Sequence, residues 1–295
     1  MNKLQDLEIV KQTYSGKVRD IYDLGDKLLI VTSDRISAFD CVFPNTIPNK
    51  GKILNQISVF FFKATKDIIP NHFITDNVDE YPEEFKEFED ELKDRSMLVK
   101  KSRVIPYESI VRGYITGSAW KEYQRSKTVG GIIQDSNLEE SQKFPQPLFT
   151  PSTKAESGHD ENISFEEMKK RMDSYLADEI KKVSLALYNF AHDYLFSKDI
   201  ILADTKFEFG TYEGKLILID EVLTPDSSRF WDKNEYHLGT TLKSYDKQYI
   251  RDFISNSDWD KNPPAPELPQ DIIEKTYKKY YNAYKIICGE NTKSW

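Results

Sequence analysis

The chain has 295 residues and a formal net charge of −8, with 39% hydrophobic and 31% charged residues. This length allows one large domain or two lobes, and the composition is typical of a globular protein. The acidic balance argues against a general binder of nucleic acid or of anionic membranes, although a local basic pocket can still hold a small anion.

Cysteine and histidine usage indicates neither a disulfide framework nor a zinc site. Cys41 and Cys288 lie far apart, and the four histidines have no metal-ligand spacing. The first residues are charged and lack an apolar signal core, and no apolar run approaches the length of a membrane span. We therefore expect a cytoplasmic protein.

The N-terminal third is predicted to be rich in β-strands, with two strands in residues 16–34 around Gly25-Asp26. Gly16 is followed by Lys17, a pair that would let the backbone approach a phosphate with a point charge beside it. An ordinary turn glycine beside exposed cations is the alternative. The sequence has neither a P-loop nor a dinucleotide-binding glycine motif.

Two helices and a strand are predicted next. The apolar spacing in 51–67 is that of an amphipathic helix, and the charged segment 81–95 predicts a short solvated helix. A strand is then predicted over residues 96–101. No internal repeat is present in the chain.

A strand followed by a helix is predicted around residues 106–125. Glu108 and Arg112 alternate on one strand face, and Ser118 is a candidate N-cap for the helix that follows. Arg112 and a helix N-terminus together could hold a phosphate. A capped helix that binds no ligand explains the same residues.

The segment 141–164 is polar with little periodicity, which predicts a functional loop or a mobile insert. It ends at a capping box, Ser164 with Glu167, that begins a helix. Further helices are predicted over 178–199, 244–254 and 271–289, the last one after a Pro-rich connector.

Residues 202–222 predict a β-hairpin with an unusual polar face. Asp204, Lys206 and Glu208 recur with period two, and the return strand is apolar until Asp220 and Glu221. The polar face is either solvated or lines a site. If paired residue numbers have an even sum, Asp220 shares the face of Glu208, and if the sum is odd, Glu221 does.

Five sequence blocks stand out along the chain: SGKVRDIYD (15–23), PYESIVRGYITGS (106–118), FTPSTKAESGHDENIS (149–164), LADTKFEFG (202–210) and LIDEVLTPDSSRFW (218–231). In this order, over residues 14–285, they resemble the SAICAR synthetase family (phosphoribosylaminoimidazole-succinocarboxamide synthases). The central block 149–164 is similar to that of the longer, yeast-like members of the family.

The resemblance implies a two-lobed α+β fold. Residues 1–110 would form a β-rich, kinase-like lobe and residues 111–295 a mixed α/β lobe, with ATP in the cleft between them. It implies a ligase of de novo purine (IMP) biosynthesis that phosphorylates the carboxylate of carboxyaminoimidazole ribotide with ATP. The amine of L-aspartate then attacks the acyl phosphate to form SAICAR, with release of ADP and phosphate.

The resemblance also assigns residues to this reaction. Glu208 and Asp220 would hold Mg²⁺ against the ATP phosphates, with Lys206 near the transferring phosphoryl group. ATP would otherwise contact Gly16 and Lys17 (phosphates), Glu108 (ribose) and the backbone of Arg103, Val104 and Ile105 (adenine). The ribotide would contact Arg112, Ser118 and Arg229 (phosphate) and Asp226 (ribose), while Lys154, His159, Asp160 and Lys247 are expected near the substrates without an assigned role.

Two other functions remain open at this stage. A small-molecule kinase would use the same metal and lysine but would need no aspartate site. A non-catalytic nucleotide-binding module would be expected to lack the metal carboxylates or the substrate cations. Nucleic acid and membrane partners are not expected, and a monomer is favoured.

Overall fold

The fold is described from a computed structural model, in residues 12–38, 41–134, 137–154, 161–245 and 248–295. Its strands and helices are, in chain order, β1 (Gln12–Ser15), β2 (Arg19–Asp23), β3 (Lys27–Thr32), β4 (Arg35–Ala38), β5 (Cys41–Thr46), α1 (Lys50–Ala64), β6 (Phe73–Thr75), α2 (Glu89–Leu92), β7 (Ser96–Lys100), β8 (Arg103–Tyr114), α3 (Gly117–Ser126), β9 (Thr128–Val129), β10 (Ile132–Ile133), β11 (Lys143–Phe149), β12 (Ser152–Thr153), α4 (Phe165–Arg171), α5 (Ser174–Phe196), β13 (Ile200–Tyr212), β14 (Lys215–Ile219), β15 (Ser228–Asp232), α6 (Gln248–Ser255) and α7 (Gln270–Cys288). Within these ranges, no helix combines the length and the apolar character needed to cross a lipid bilayer.

The chain divides into two compact units. The first comprises Met1–Lys63, His72–Ser102 and Asp246–Trp295, and the second comprises Ala64–Asn71 and Arg103–Tyr245. This division differs from the expected boundary at residue 110 mainly in the C-terminal segment. That segment groups with the first unit through bonds such as Lys293 Nζ to Asp94 Oδ1, 2.6 Å, and Trp295 Nε1 to Asp94 Oδ2, 2.7 Å.

The first unit contains an antiparallel sheet with strand order β1-β2-β3-β7-β6. β2 and β3 flank Gly25-Asp26, as predicted, and pair with Tyr22 opposite Leu29. One face of the sheet buries these two residues together with Phe85, Phe88 and Leu92. The phenylalanines belong to the segment 81–95, whose prediction as one solvated helix is wrong. It forms a 3-10 segment, Glu83–Phe88, followed by the single turn of α2.

The second unit is built on β13, a thirteen-residue strand at the centre of its sheet. The strand order is β11-β8-β13-β14, with β12 also paired to β8 and β15 to β13. Helix α5 packs on β13, and the Tyr188 hydroxyl donates a 2.6 Å hydrogen bond to the carbonyl of Leu202. Gly113 on β8 makes room for it, since a Cβ there would lie 1.8 Å from the same hydroxyl oxygen.

The predicted hairpin is confirmed by β13 and β14. The connecting residues Glu213 and Gly214 have φ angles of 50° and 73°, as two-residue hairpin turns with a matching twist require. Both strands are buried along most of their length.

The segment 141–164, predicted as a functional loop or a mobile insert, contains two strands, β11 and β12, that pair with β8. Pro145 and Pro147 interrupt the sequence pattern of β11. Proline is tolerated there because β11 is an outer strand of its sheet, where a missing N–H breaks no ladder.

Candidate active site

A row of charged residues lies on one face of β13 and the neighbouring β8. Asp204 is opposite Arg112, Lys206 is opposite Ile110, and Glu208 is opposite Glu108. Directly opposed residues of antiparallel strands share a face, so the side chains form one row. Asp204 and Glu208 are only 6% and 5% exposed. The alternative of a solvated face is therefore wrong.

One end of the row is a cluster of paired carboxylates and ammonium groups. Lys206 Nζ donates to Glu108 Oε1 at 2.5 Å and lies 3.8 Å from Glu208 Oε1. Lys154 Nζ donates to the other oxygen of Glu208, and Ser152 Oγ to the other oxygen of Glu108, at 3.3 Å. Each buried charge thus has a partner, as buried charges require.

The other end of the row holds two guanidinium groups on one carboxylate. Arg112 Nη1 and Arg229 Nη1 both donate to Asp204 Oδ2, at 3.2 and 3.0 Å. Arg112 also donates from Nε to Thr150 Oγ1, 2.9 Å, and from Nη2 to Ser118 Oγ, 3.3 Å. One carboxylate cannot neutralise two guanidinium groups, so this end carries net positive charge suited to an anion.

The N-terminus of α3 lies at the same end of the row. Its N-cap is Thr116, so the expected capping role of Ser118 is wrong. Ser118 lies inside the first turn, and its hydroxyl accepts the bond from Arg112. Gly117 has φ +57° and packs under Arg229, since a Cβ there would lie 2.3 Å from Arg229 Nη1. The helix terminus adds its own positive potential to the two guanidinium groups.

Protonation at the site is shifted by burial and by neighbouring charge. Burial and the carboxylate of Asp220 raise the pKa of Glu208 to about 7, against the opposing effect of Lys154 and Lys206. Burial disfavours the charged form of Lys206, but Glu108 and Glu208 outweigh it and raise its pKa. Lys206 is therefore a permanent cation beside a carboxyl group that exchanges its proton near neutral pH.

The register of the hairpin gives an unexpected answer about Asp220 and Glu221. Glu208 pairs with Ile219, an odd sum, for which we expected Glu221 on the polar face. That expectation is wrong, because β14 ends at Ile219 and Asp220 has a φ of +66°. The chain leaves the strand at Asp220, and the charge of Asp220 acts on Glu208 and Lys206. Glu221 Oε2 instead accepts a 2.7 Å hydrogen bond from Thr224.

The remaining predicted site residues lie in several places. Gly16 and Lys17 form the turn between β1 and β2 in the first unit, and Asp226 lies half-buried with its N–H on Thr224 Oγ1, 3.2 Å. The residues proposed for adenine begin β8, where Val104 is 50% exposed. Three predicted residues lie outside the described part of the chain: His159, Asp160 and Lys247.

Sequence reasoning missed the residues that hold the site in shape. Asp204 was seen in the period-two pattern but was given no role, although it positions both arginines. Thr150 and Ser152 were missed because they act through Arg112 and Glu108. Asp204 could have been found, since a carboxylate on the same face as Lys206 and Glu208 needs a cationic partner once that face is buried.

Glu208 and Asp220 are the carboxylates that could hold a magnesium ion. Within the described ranges no three carboxylate, imidazole or thiol side chains converge on a preformed metal cage. Mg²⁺ does not need one, because it takes one or two carboxylates and fills its other positions with water and phosphate oxygens. Burial, and after it the charge of Asp220, raises the pKa of Glu208, and a bound cation would relieve the repulsion between the two carboxylates.

Comparison with known proteins decides the family. The sequence profile described as SAICAR synthetase matches residues 12–266. The chain belongs to the SAICAR synthetase family. It is 53% identical over 282 residues to the phosphoribosylaminoimidazole-succinocarboxamide synthase of Thermodesulfovibrio yellowstonii, covering 96% of this chain and 97% of that protein.

Solved structures of SAICAR synthetases agree with this assignment. The SAICAR synthase of Saccharomyces cerevisiae, complexed with SAICAR, superposes with a TM-score of 0.89 at 42% identity, covering 98% of this chain and 97% of that one. A SAICAR synthetase in complex with ADP superposes with a TM-score of 0.69 at 26% identity, covering 95% and 99%.

Membership of the SAICAR synthetase family confirms three expectations from the sequence. The fold is of the α+β, two-lobed SAICAR synthase class. The protein is an enzyme, a ligase of purine biosynthesis that uses ATP as a co-substrate. The alternative of a small-molecule kinase is not favoured.

Proposed function

We propose that this chain makes SAICAR from carboxyaminoimidazole ribotide and L-aspartate through an acyl-phosphate intermediate. The observation that carries the proposal is the polar row on β13. A ribotide has its phosphate at one end and its base at the other, and the four residue steps of strand from Asp204 to Glu208 span about 13 Å. The arginine end of the row would bind the phosphate, and the Lys206 end would meet the imidazole carboxylate.

The chemistry requires an activated carboxylate. A carboxylate oxygen of the ribotide attacks the γ-phosphorus of ATP, the bond to the β,γ-bridging oxygen breaks, and ADP leaves. The amine of L-aspartate then adds to the acyl carbon, loses a proton and expels inorganic phosphate as the amide forms. Lys206 would neutralise charge on the transferring phosphoryl group, which is the main task of a protein in such a transfer.

Glu208 and Asp220 are proposed to hold Mg²⁺. The ion, when bound, would offset charge on the ATP phosphates. Lys154 donates to the same carboxylate of Glu208 and would supply a further cation beside the anionic substrates.

The other assignments stay predictions. ATP would contact Gly16 and Lys17 with its phosphates and the backbone of residues 103–105 with its adenine. Glu108 is predicted to bind the ATP ribose. Its carboxylate would then have to accept hydrogen bonds from both the ribose and Lys206. Asp226 is predicted to bind the ribose of the ribotide.

We also propose that the protein acts in the cytoplasm, because its substrates are phosphorylated metabolites and its net charge of −8 suits neither nucleic acid nor anionic membranes as partners. We further propose that it acts as a monomer. Light scattering behind size-exclusion chromatography tests the oligomeric state. A mass twice that of the chain would contradict it.

The decisive experiment measures ADP release with ATP, the ribotide and L-aspartate, each omitted in turn. Full release should need all three, with one SAICAR formed per ADP. ADP release at an undiminished rate without L-aspartate would indicate a kinase instead. With ¹⁸O in the ribotide carboxylate, one label should appear in the released phosphate, and unlabelled phosphate would exclude the acyl-phosphate route.

Arg112→Lys should raise the KM for the ribotide about tenfold or more and leave the KM for ATP nearly unchanged. A lysine has one ammonium group and cannot replace the three directed bonds that Arg112 makes to Asp204, Thr150 and Ser118. Steady-state kinetics with each substrate varied separately measures this effect. Arg125→Lys, a change at an exposed residue of α3, is the control. An unchanged ribotide KM in Arg112→Lys would remove Arg112 from the site.

A further inference from the structure

Three successive carbonyl groups in the turn between β1 and β2 are held from one side. Arg35 donates from Nη2 to the carbonyl of Gly16, 3.1 Å, and from Nε to that of Lys17, 3.3 Å. The carbonyl of Val18 accepts from the N–H of Ser33, 2.8 Å, and from its hydroxyl, 2.9 Å. Residues 33–35 therefore fix the orientation of every peptide unit in the turn.

Arg35 is itself held by a buried carboxylate. Its Nη2 and Nη1 donate to the two oxygens of Asp20 at 2.9 and 3.1 Å, and Ser15 Oγ donates to Asp20 Oδ1 at 2.7 Å. Asp20 is 4% exposed. A bidentate pair of this kind fixes the plane of the guanidinium group, and with it the direction of the two donors, Nε and Nη2, that reach the turn.

The held carbonyls determine where the amide groups of the turn point. In a planar trans peptide, the C=O and the N–H of the following residue point in opposite directions. Carbonyls turned toward Arg35 therefore direct the N–H groups of Lys17 and Val18 to the other side. Successive N–H groups on one side of a turn, with a lysine among them, form a concavity suited to an anion.

We infer that Arg35 is a positioning residue for the phosphates of ATP, an inference that rests on the proposed contact between those phosphates and Gly16 and Lys17. Arg35 does not touch the nucleotide in this arrangement. It holds the peptide units of residues 16–18 in the orientation that accepts the phosphates, together with its partner Asp20.

The test uses Arg35→Lys in the full-length protein. The lysine keeps the charge beside Asp20 but cannot reach the carboxylate and both carbonyls at once. Arg95→Lys is the matched control, because Arg95 forms an ion pair with Asp34, 3.1 Å, and is buried to a similar extent as Arg35. Lys17→Ala serves as a reference that reports whether the turn meets ATP at all.

Arg35→Lys should raise the KM for ATP and the Kd for ATP about tenfold, since bonds to the charged guanidinium are lost. The affinity for adenosine, which has no phosphates, should stay unchanged, as should the ribotide KM. Calorimetry gives the two affinities, and a melting curve for each variant reports the fold. Arg95→Lys should leave both nucleotide affinities as they are in the wild type.

Three results would overturn the inference. An ATP affinity that changes in Lys17→Ala but not in Arg35→Lys would show that the turn needs no such support. Equal losses for ATP, adenosine and the ribotide, with a lowered melting temperature, would show a general structural role. An unchanged ATP affinity in both Arg35→Lys and Lys17→Ala, with normal SAICAR formation, would remove the turn from the ATP site and leave the proposed ligase function intact. A wild-type protein that forms no SAICAR would instead contradict the proposed function.

Discussion

Glu208→Gln and Asp220→Asn should each lower turnover by about 10²-fold or more. Each amide keeps the size and shape of the side chain, but it replaces one acceptor oxygen with a donor and removes the negative charge that Mg²⁺ requires. The loss should appear mainly in kcat, because the metal offsets charge that moves during phosphoryl transfer. Raising the Mg²⁺ concentration should recover part of the activity of Asp220→Asn. Initial rates of ADP release at several Mg²⁺ concentrations measure both effects.

The stability of Glu208→Gln should change in the opposite direction to its activity. The pKa of Glu208 is raised from 4.5 to about 7 in the folded protein. Its contribution to stability is therefore fully present below pH 4.5 and is lost as the pH rises through about 7, because the buried carboxylate then ionises. Glutamine does not ionise, so the variant should melt at or above the wild-type temperature at pH 8 without ligands. The advantage should shrink toward pH 5.

Glu221→Gln is the control for these two variants. It removes a carboxylate next to Asp220 in the chain, but one that accepts a hydrogen bond from Thr224 in the turn after β14. We expect it to keep most of its activity. If Glu221→Gln abolishes turnover and Asp220→Asn does not, the assignment of Asp220 to the metal is wrong.

The hairpin shows how far the sequence predicts this site and where it stops. Alternation along residues 204–208 predicts the polar face, and the apolar return strand predicts burial. Which of Asp220 and Glu221 reaches Glu208 depends on where β14 ends, and the sum rule assumed a strand that continues. A single residue with φ +66° after Ile219 ends the strand. Aspartate tolerates this backbone conformation, but the sequence alone does not show that the chain adopts it here.

Long-range contacts explain the other differences from the sequence-based predictions. Proline residues in 143–149 predict a loop, because proline has no backbone N–H to donate. An outer strand of a sheet tolerates proline where its missing N–H would have faced away from the neighbouring strand. The last fifty residues belong to the first unit through contacts such as Leu268 N–H to Asn45 Oδ1, 2.6 Å. A bond between residues so far apart in the chain leaves no periodic signal.

The role of Asp204 shows the same limit within the site itself. Its spacing from Lys206 and Glu208 is visible in the sequence, but its two arginine partners come from β8 and β15. Only the order of strands in the sheet brings Arg112 and Arg229 to opposite sides of β13. Residues that contact substrate can be proposed from motifs, whereas residues that hold them in place require the fold.

Lys206→Met should lower turnover by about 10²-fold or more, and unlike Glu208→Gln it should also destabilise the fold. The pKa of Lys206 is raised above 10.5 although burial opposes this, because Glu108 and Glu208 favour its charged form. The stability that this group contributes is fully present below pH 10.5 and is lost only as the pH rises through the still higher folded-state value. It is therefore complete at any pH used for assays.

Without that ammonium group, Glu108, Glu208 and Asp220 would repel one another with fewer cations beside them. We expect a loss of about 1–2 kcal/mol at pH 8, reduced because Lys206 is partly exposed. At pH 5.5 the loss should be smaller, since Glu208 then carries its proton. Lys233→Met, which removes an exposed ion pair with Asp199, should change stability by less than about 0.5 kcal/mol at either pH. Denaturant unfolding at both pH values measures the difference in the free energy of unfolding. An equal loss at pH 5.5 and pH 8 would mean that Lys206 stabilises the site by packing and not by its charge beside three carboxylates.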